Sequence, residues 1–200
     1  MPKTPNTPRL ANLDPHTVAL AATRQILDLL SADASGFLGS HWRVHLEVGE
    51  LDDGALRRTS AYKALVVVGR YARGPGTLHE PLTATLERIR PMLARLLDLR
   101  AGTVDELIEQ AERIAHSSEL ALVLGAAAAR ERLDHNQPLS SALVAILAGR
   151  SRVHINNLIQ EGALKAKLLE RGGSAGRRKE TYQITAAETR RFLREHGSSG

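Results

Sequence analysis

The chain has 200 residues, 42% hydrophobic, 24% charged and only 3% aromatic, enough for one ordinary domain or two small ones with aliphatic, mainly helical packing. It has no cysteine, which excludes disulfides, Cys-ligated zinc, iron–sulfur clusters and thiol catalysis and suits a reducing cytosol. No run of 18 apolar residues occurs, so no membrane span is expected, and 27 Lys and Arg against 22 Asp and Glu leave a net charge of +5.

In chain order, residues 1–13 read as a flexible Pro/Thr tail without an apolar run, and not as a signal peptide. Asp14 is an N-cap ahead of Pro15, and Val18, Ala22, Ile26, Leu29 and Leu30 recur at helical spacing to about Ser31. Trp42, Val44, Leu46 and Val48 alternate with Arg43, His45 and Glu47, the period of a half-buried strand, and Asp52-Asp53-Gly54 is expected to end it as a turn. Residues 55–72 fit either a buried strand at Ala64–Val68 or a helix, and their Ala, Leu and Arg flanks favour the helix, broken by Gly74-Pro75-Gly76. Leu86, Ile89, Leu93, Leu96 and Leu97 predict one helix over Glu80–Leu99, closed at Gly102. Thr103 with Glu106 forms a capping box for a helix through Ala115, and Glu119–Leu133 is Ala-rich and helical. His135-Asn136-Gln137-Pro138 breaks the pattern and marks a boundary between a helical domain, 14–137, and a second domain, 138–196; residues 197–200 read as a disordered end.

Charge is unevenly shared between these parts. From Pro138 onward there are 11 basic against five acidic residues, a net +6, while the first 137 residues hold the other 16 basic and 17 acidic residues, a net −1. A unit that neutralises phosphates has this balance, because counterion release from a polyanion drives affinity.

The pattern beneath that charge is more specific. Ser140 or Ser141 caps a short helix with Leu143, Val144 and Leu147 on its apolar face and Ala145 where a second helix crosses. Gly149 stands at a sharp turn, Ser151 caps the next helix, Ile155, Leu158 and Ile159 face inward, and Gly162 ends it. Two capped helices joined by a glycine turn are the scaffold that lays a second helix in a major groove. The 100° step then turns Arg152, Val153, Asn156 and Gln160 outward, with Asn157 at the edge. Lys165–Glu170 and Glu180–Thr185 are strand-compatible, with Tyr182 and Ile184 facing one way. They flank a Gly-rich basic tip that carries Arg177, Arg178 and Lys179. Thr185 with Glu188 at N3 opens a last helix with Phe192 and Leu193 facing inward. The expected fold class is therefore mainly α: an N-terminal helical domain with a short strand or hairpin, followed by a C-terminal winged helix-turn-helix.

On Leu139, Val144, Ala145, Leu147, Gly149, Ser151, Arg152, Leu158, Ile159, Gly162 and Leu164, with Ser140, Ser141 and Ile155 as close substitutes, residues 139–195 resemble the excisionase/MerR-type winged helix-turn-helix. The segment departs from that family at Leu143, Arg150, His154 and Asn157, where the family has a Glu, an apolar residue, a Thr and an Arg. The resemblance covers under a third of the chain and implies DNA binding through Ser151, Arg152, Val153, Asn156, Asn157 and Gln160 on the second helix. Lys165, Lys167, Arg177, Arg178 and Lys179 would meet the backbone from the wing.

Other chemistry is poorly served. His41 and His45 lie on strand period without a third ligand, and the Gly69–Thr77 stretch lacks the Gly-Lys-Ser/Thr of a phosphate loop. No catalytic residue, metal or cofactor is expected. The leading expectation is a cytoplasmic, nucleoid-associated, bacterial-type transcriptional regulator that binds specific double-stranded DNA as a homodimer through residues 14–137. Alternatives are an architectural, excision or segregation factor that bends DNA, and an adaptor whose basic face meets a protein partner.

Overall fold

The structure is a computed structural model that describes residues 10–38, 52–74, 78–169 and 181–196. It is mainly helical, with a small three-stranded antiparallel sheet near the C-terminus. The strand expected over Trp42–Val48 lies outside the described residues.

Leu10–Asn12 form a turn of 3-10 helix, Leu10 packs against the N-terminal core and Leu13 is buried in it. Helix α1, Pro15–Leu38, starts as the Asp14-Pro15 pair predicts. The Thr17 amide and hydroxyl both donate to the Asp14 carboxylate, at 2.8 and 2.7 Å, and hold its pKa below the usual range. Asp52 does not close a turn. Its carboxylate accepts from the Ala55 amide at 2.6 Å and opens α2, Asp53–Arg58. Thr59 then caps α3, Ser60–Arg73, by accepting from the Tyr62 amide. The helical reading of residues 55–72 thus holds, with a break at Thr59.

The single helix expected over Glu80–Leu99 is two, α4 at Leu82–Glu87 and α5 at Arg90–Leu96. Pro91 is the physical reason. In a continuous helix its ring would meet the Glu87 carbonyl and its missing N–H would leave a gap, whereas in the first turn of α5 neither matters. Thr103 caps α6, Val104–Ile114, through the Glu106 amide, while the Glu106 carboxylate reaches the Gly102 amide at 2.6 Å. Ser118 caps α7, Glu119–Asp134, in which every residue from Leu120 to Ala129 is buried. A helix apolar on all sides must be enclosed, and α7 is.

Two hydrophobic clusters enclose α7. Leu120–Leu124 and Ala126–Ala128 join the N-terminal core, with Ala19, Leu65, Val68, Leu93 and Leu107. Ala129 and Leu133, at its C-terminal end, belong to a second core with Leu139, Leu143, Val144, Ile155, Ile184 and Phe192. Ile146 packs against both. Between the end of α7 at Asp134 and the start of the first strand at Leu139 the chain is not helical, and the second core spans this stretch from Ala129 and Leu133 to Leu139.

Candidate nucleic-acid interface

The C-terminal unit is assembled from short elements whose ends are held by side chains. Strand β1, Leu139–Ser140, leads into α8, Ser141–Ala148, and of the two candidate serines it is Ser140 that caps, 3.2 Å from the Leu143 amide. Gly149 has φ 61°, a left-handed conformation in which the Gly149 and Arg150 amides bond back to the Ile146 and Ala145 carbonyls. Nothing lies within 4 Å of where its Cβ would be, so the backbone angle and not crowding calls for glycine. Ser151 then caps α9, Arg152–Gln160, accepting from the His154 amide at 3.1 Å. Gly162, with φ 76°, ends it, and Leu164 returns to the core at 1% exposure.

The chain closes with β2 at Lys167–Leu169, β3 at Thr181–Ile184 and α10 at Ala186–His196. The sheet order is β1-β3-β2, with Leu139 opposite Ile184 and Lys167, Leu168 and Leu169 opposite Gln183, Tyr182 and Thr181. Ile184 and Leu139 enter the second core. Lys167 and Gln183 point from the other face, since side chains alternate along a strand. Phe192 is buried and Leu193 packs against the core, as expected.

The expected outward face of α9 needs one correction. Ser151, Arg152, Val153, Asn157 and Gln160 are exposed, but Asn156 is half-buried, and its Oδ1 is buried with no hydrogen-bond partner among the described residues. The reason is rotational. Ile155 is fully buried with Leu158 and Ile159 half-buried beside it, so the direction opposite their mean passes through Val153, Asn157 and Gln160. Asn156 sits about 60° from Ile159 on that wheel and falls at the edge, where Asn157 was expected. His154 in the first turn of α9 and Arg150 in the turn before it are exposed as well.

Lys165 and Lys167 are exposed next to α10. The Thr185 hydroxyl accepts from the Glu188 amide, but the Glu188 carboxylate does not return to Thr185 to complete the box. It accepts from the Lys165 amide at 2.9 Å and from Arg191 at 2.6 and 3.0 Å, and this guanidinium holds its pKa down at about 2. Arg191 also donates to the Ala163 carbonyl at 3.1 Å. The segment between α9 and β2 is thereby tied to the first turn of α10, with a shallow cleft between Lys165, Lys167 and Gln183 on one side and Thr185, Glu188 and Arg191 on the other. Arg177, Arg178 and Lys179, predicted to touch the backbone, lie outside the described residues.

Among the described residues no group of three His, Asp or Glu could hold a metal ion, and no helix is long and apolar enough to cross a membrane. Comparison with protein-family models, curated proteins and solved structures found no match for this chain.

Proposed function

We propose that the C-terminal unit is a winged helix-turn-helix that binds double-stranded DNA, with α9 in the major groove and β2, β3 and their connecting segment against the backbone. The observation that carries the reading is the pairing of two short helices, each capped by a serine and separated by a left-handed glycine, that turns an exposed stripe of Val153, Asn157 and Gln160 away from the core. Arg150, Arg152 and His154 are exposed at the N-terminal end of α9, Lys165 and Lys167 are exposed at the start of the following strand segment, and the whole unit from Pro138 carries a net +6. Arg152 in the first turn is shaped for the O6 and N7 of a guanine, and Asn157 and Gln160 for the N6 and N7 of an adenine.

In this reading the protein is a sequence-specific regulator of bacterial type, of the excisionase/MerR kind that the sequence resembles, and works in the cytoplasm on the nucleoid. A nine-residue helix reads only a few base pairs, so specific binding calls for two copies on a two-fold site, and the nearly neutral N-terminal helices are proposed to bring the copies together. The test is selection of bound sites from a random duplex pool by the full chain, with the stoichiometry of the complex measured by sedimentation. A motif of two half-sites about one helical turn apart, bound two to one, is the expected result. Enrichment of no sequence, with binding equally well competed by heparin and by duplex, would reduce the reading to a merely basic surface.

A further inference from the structure

Val153 is 68% exposed, the most exposed of the large apolar side chains among the described residues, and it stands in the first turn of α9. A lone exposed apolar residue is ordinary on a protein surface, so exposure alone decides nothing. Its position does more. Val153, Asn157 and Gln160 follow the i, i+4, i+7 spacing of one helical stripe, and that stripe is the outward centre of the helix. The two amides offer paired donors and acceptors, while Val153 offers only methyl groups. Valine is also branched at Cβ and holds one χ1 rotamer in a helix, so those methyls are presented in a fixed place.

Resting on the proposed DNA-binding reading, we infer that Val153 is a specificity-determining residue that packs against the C5-methyl group of a thymine in the major groove. Thymine is the one base that presents a methyl group there, whereas the hydrogen-bonding groups of all four base edges are of no use to Val153. The N-terminal residues of such a helix are those that approach base edges, which is where Val153 lies. The contact removes apolar surface from water on both sides and gains no hydrogen bond. It therefore acts by shape and burial, and its loss is expected to cost about fourfold in affinity for each methyl group removed.

The experiment uses the full chain and a duplex carrying a site selected by it. Each thymine in that site is replaced in turn by deoxyuridine, which keeps every hydrogen-bonding group and lacks only the methyl. The wild-type chain is expected to lose about fourfold at one thymine in each half-site, while Val153→Ala binds the thymine and deoxyuridine duplexes alike at that position. Val153→Thr, which keeps one branch methyl but divides between two rotamers in a helix, is expected to retain part of the discrimination. If every replacement changes the wild-type chain and Val153→Ala by the same factor, or if the selected site has no thymine, the assignment of Val153 is wrong and the DNA-binding reading stands. If the chain selects no site, both fail together.

Discussion

The Arg190 guanidinium, on the last helix, donates to the backbone carbonyl of Leu133, 57 residues earlier at the end of α7, and to the Asn136 side chain at 3.0 Å. It closes the C-terminal end of the helix that contributes Ala129 and Leu133 to the second core. At its other side the same helix end is held to the N-terminal body. Tyr71 donates to Asp134 at 2.5 Å, Arg130 donates to the Ala72 carbonyl at 2.7 Å, and Glu131 accepts the Leu82 amide at 2.8 Å. Burial and the Asp134 carboxylate both raise the Tyr71 pKa, so this phenol stays a donor.

The first prediction concerns folding. Because α7 belongs to both cores, the full chain is expected to unfold in one transition, and Leu133→Ala to destabilise all of it by about 2–4 kcal/mol. A fragment of residues 138–200 loses Ala129, Leu133 and both acceptors of Arg190, and is expected to show no cooperative thermal transition by circular dichroism. A fragment that melts sharply near the temperature of the full chain would show that the C-terminal unit needs no helix from the other side.

The second concerns pH above neutrality. Glu112 on α6 packs against Gly125 of α7 at the place where Ile146 of α8 also inserts: a Cβ on Gly125 would lie 2.9 Å from the Ile146 Cδ1 and 3.8 Å from the Glu112 Cγ. Burial pushes the Glu112 carboxyl up to about 7, with Arg132 and Arg113 opposing and Glu109 assisting. A carboxyl raised in the folded state favours the protonated form, so its contribution is fully present below pH 4.5 and is lost as pH rises through 7. Glu112→Gln is therefore expected to stabilise the chain by roughly 1–3 kcal/mol at pH 8 and by much less at pH 5, read from denaturant unfolding at each pH. An equal effect at both would mean that the carboxyl ionises freely.

The third concerns acid. Glu188 is lowered to about 2, chiefly by its bond to Arg191, so its contribution is present above pH 4.5 and lost as pH falls toward 2. Its side chain is 12% exposed and that of Arg191 38%, and solvent screening of the guanidinium keeps the pair modest. Glu188→Gln is expected to cost about 1 kcal/mol at pH 7 and progressively less below pH 4.5. It should also speed hydrogen exchange at the Lys165 amide, which donates to that carboxylate. Unchanged protection at Lys165 would count against the tie between the two segments.

The features legible in the sequence are those made within one turn of chain. Asp14, Thr103, Ser140, Ser151 and Thr185 are found from type and spacing because each hydroxyl or carboxylate meets an amide three residues on. Gly149 and Gly162 are found because a left-handed angle restricts residue type locally. What escaped depends on distance or on competition. The Glu188 carboxylate prefers an amide 23 residues away to the local one, and Arg190 closes a helix 57 residues back. Residues 80–99 carry a good helical period that Pro91 overrides, and Asp52 fits a turn and a helix cap equally well until the helix after it is seen. On α9 Ile155 is fully buried and Leu158 and Ile159 half-buried, and the direction opposite all three leaves Asn156 at the edge, a rotation that residue types alone do not reveal.

The rotation of α9 separates two residues that the proposed interface must distinguish. Asn156 and Asn157 are chemically identical neighbours, and only the rotation of α9 distinguishes them. Asn157 is exposed on the central stripe, one turn beyond Val153, while the Asn156 Oδ1 is turned into the protein without a partner among the described residues. In the proposed complex Asn157 is within reach of a base edge and Asn156 is not. Asn157→Ala is expected to weaken binding to a selected site by roughly 1–3 kcal/mol and to relax the preference at one base pair, with unfolding unchanged. Arg152→Ala should do the same at a different base pair, because Arg152 is exposed in the first turn of the helix, the end that approaches base edges. Asn156→Ala should leave every base preference intact and be neutral or slightly stabilising, since it removes a buried acceptor that makes no bond. The measurement is a panel of single base-pair substitutions in the selected duplex, titrated with each variant and with the wild type. If Asn156→Ala is the variant that relaxes a base preference and Asn157→Ala is silent, α9 meets DNA through a face rotated by about 100° from the one proposed.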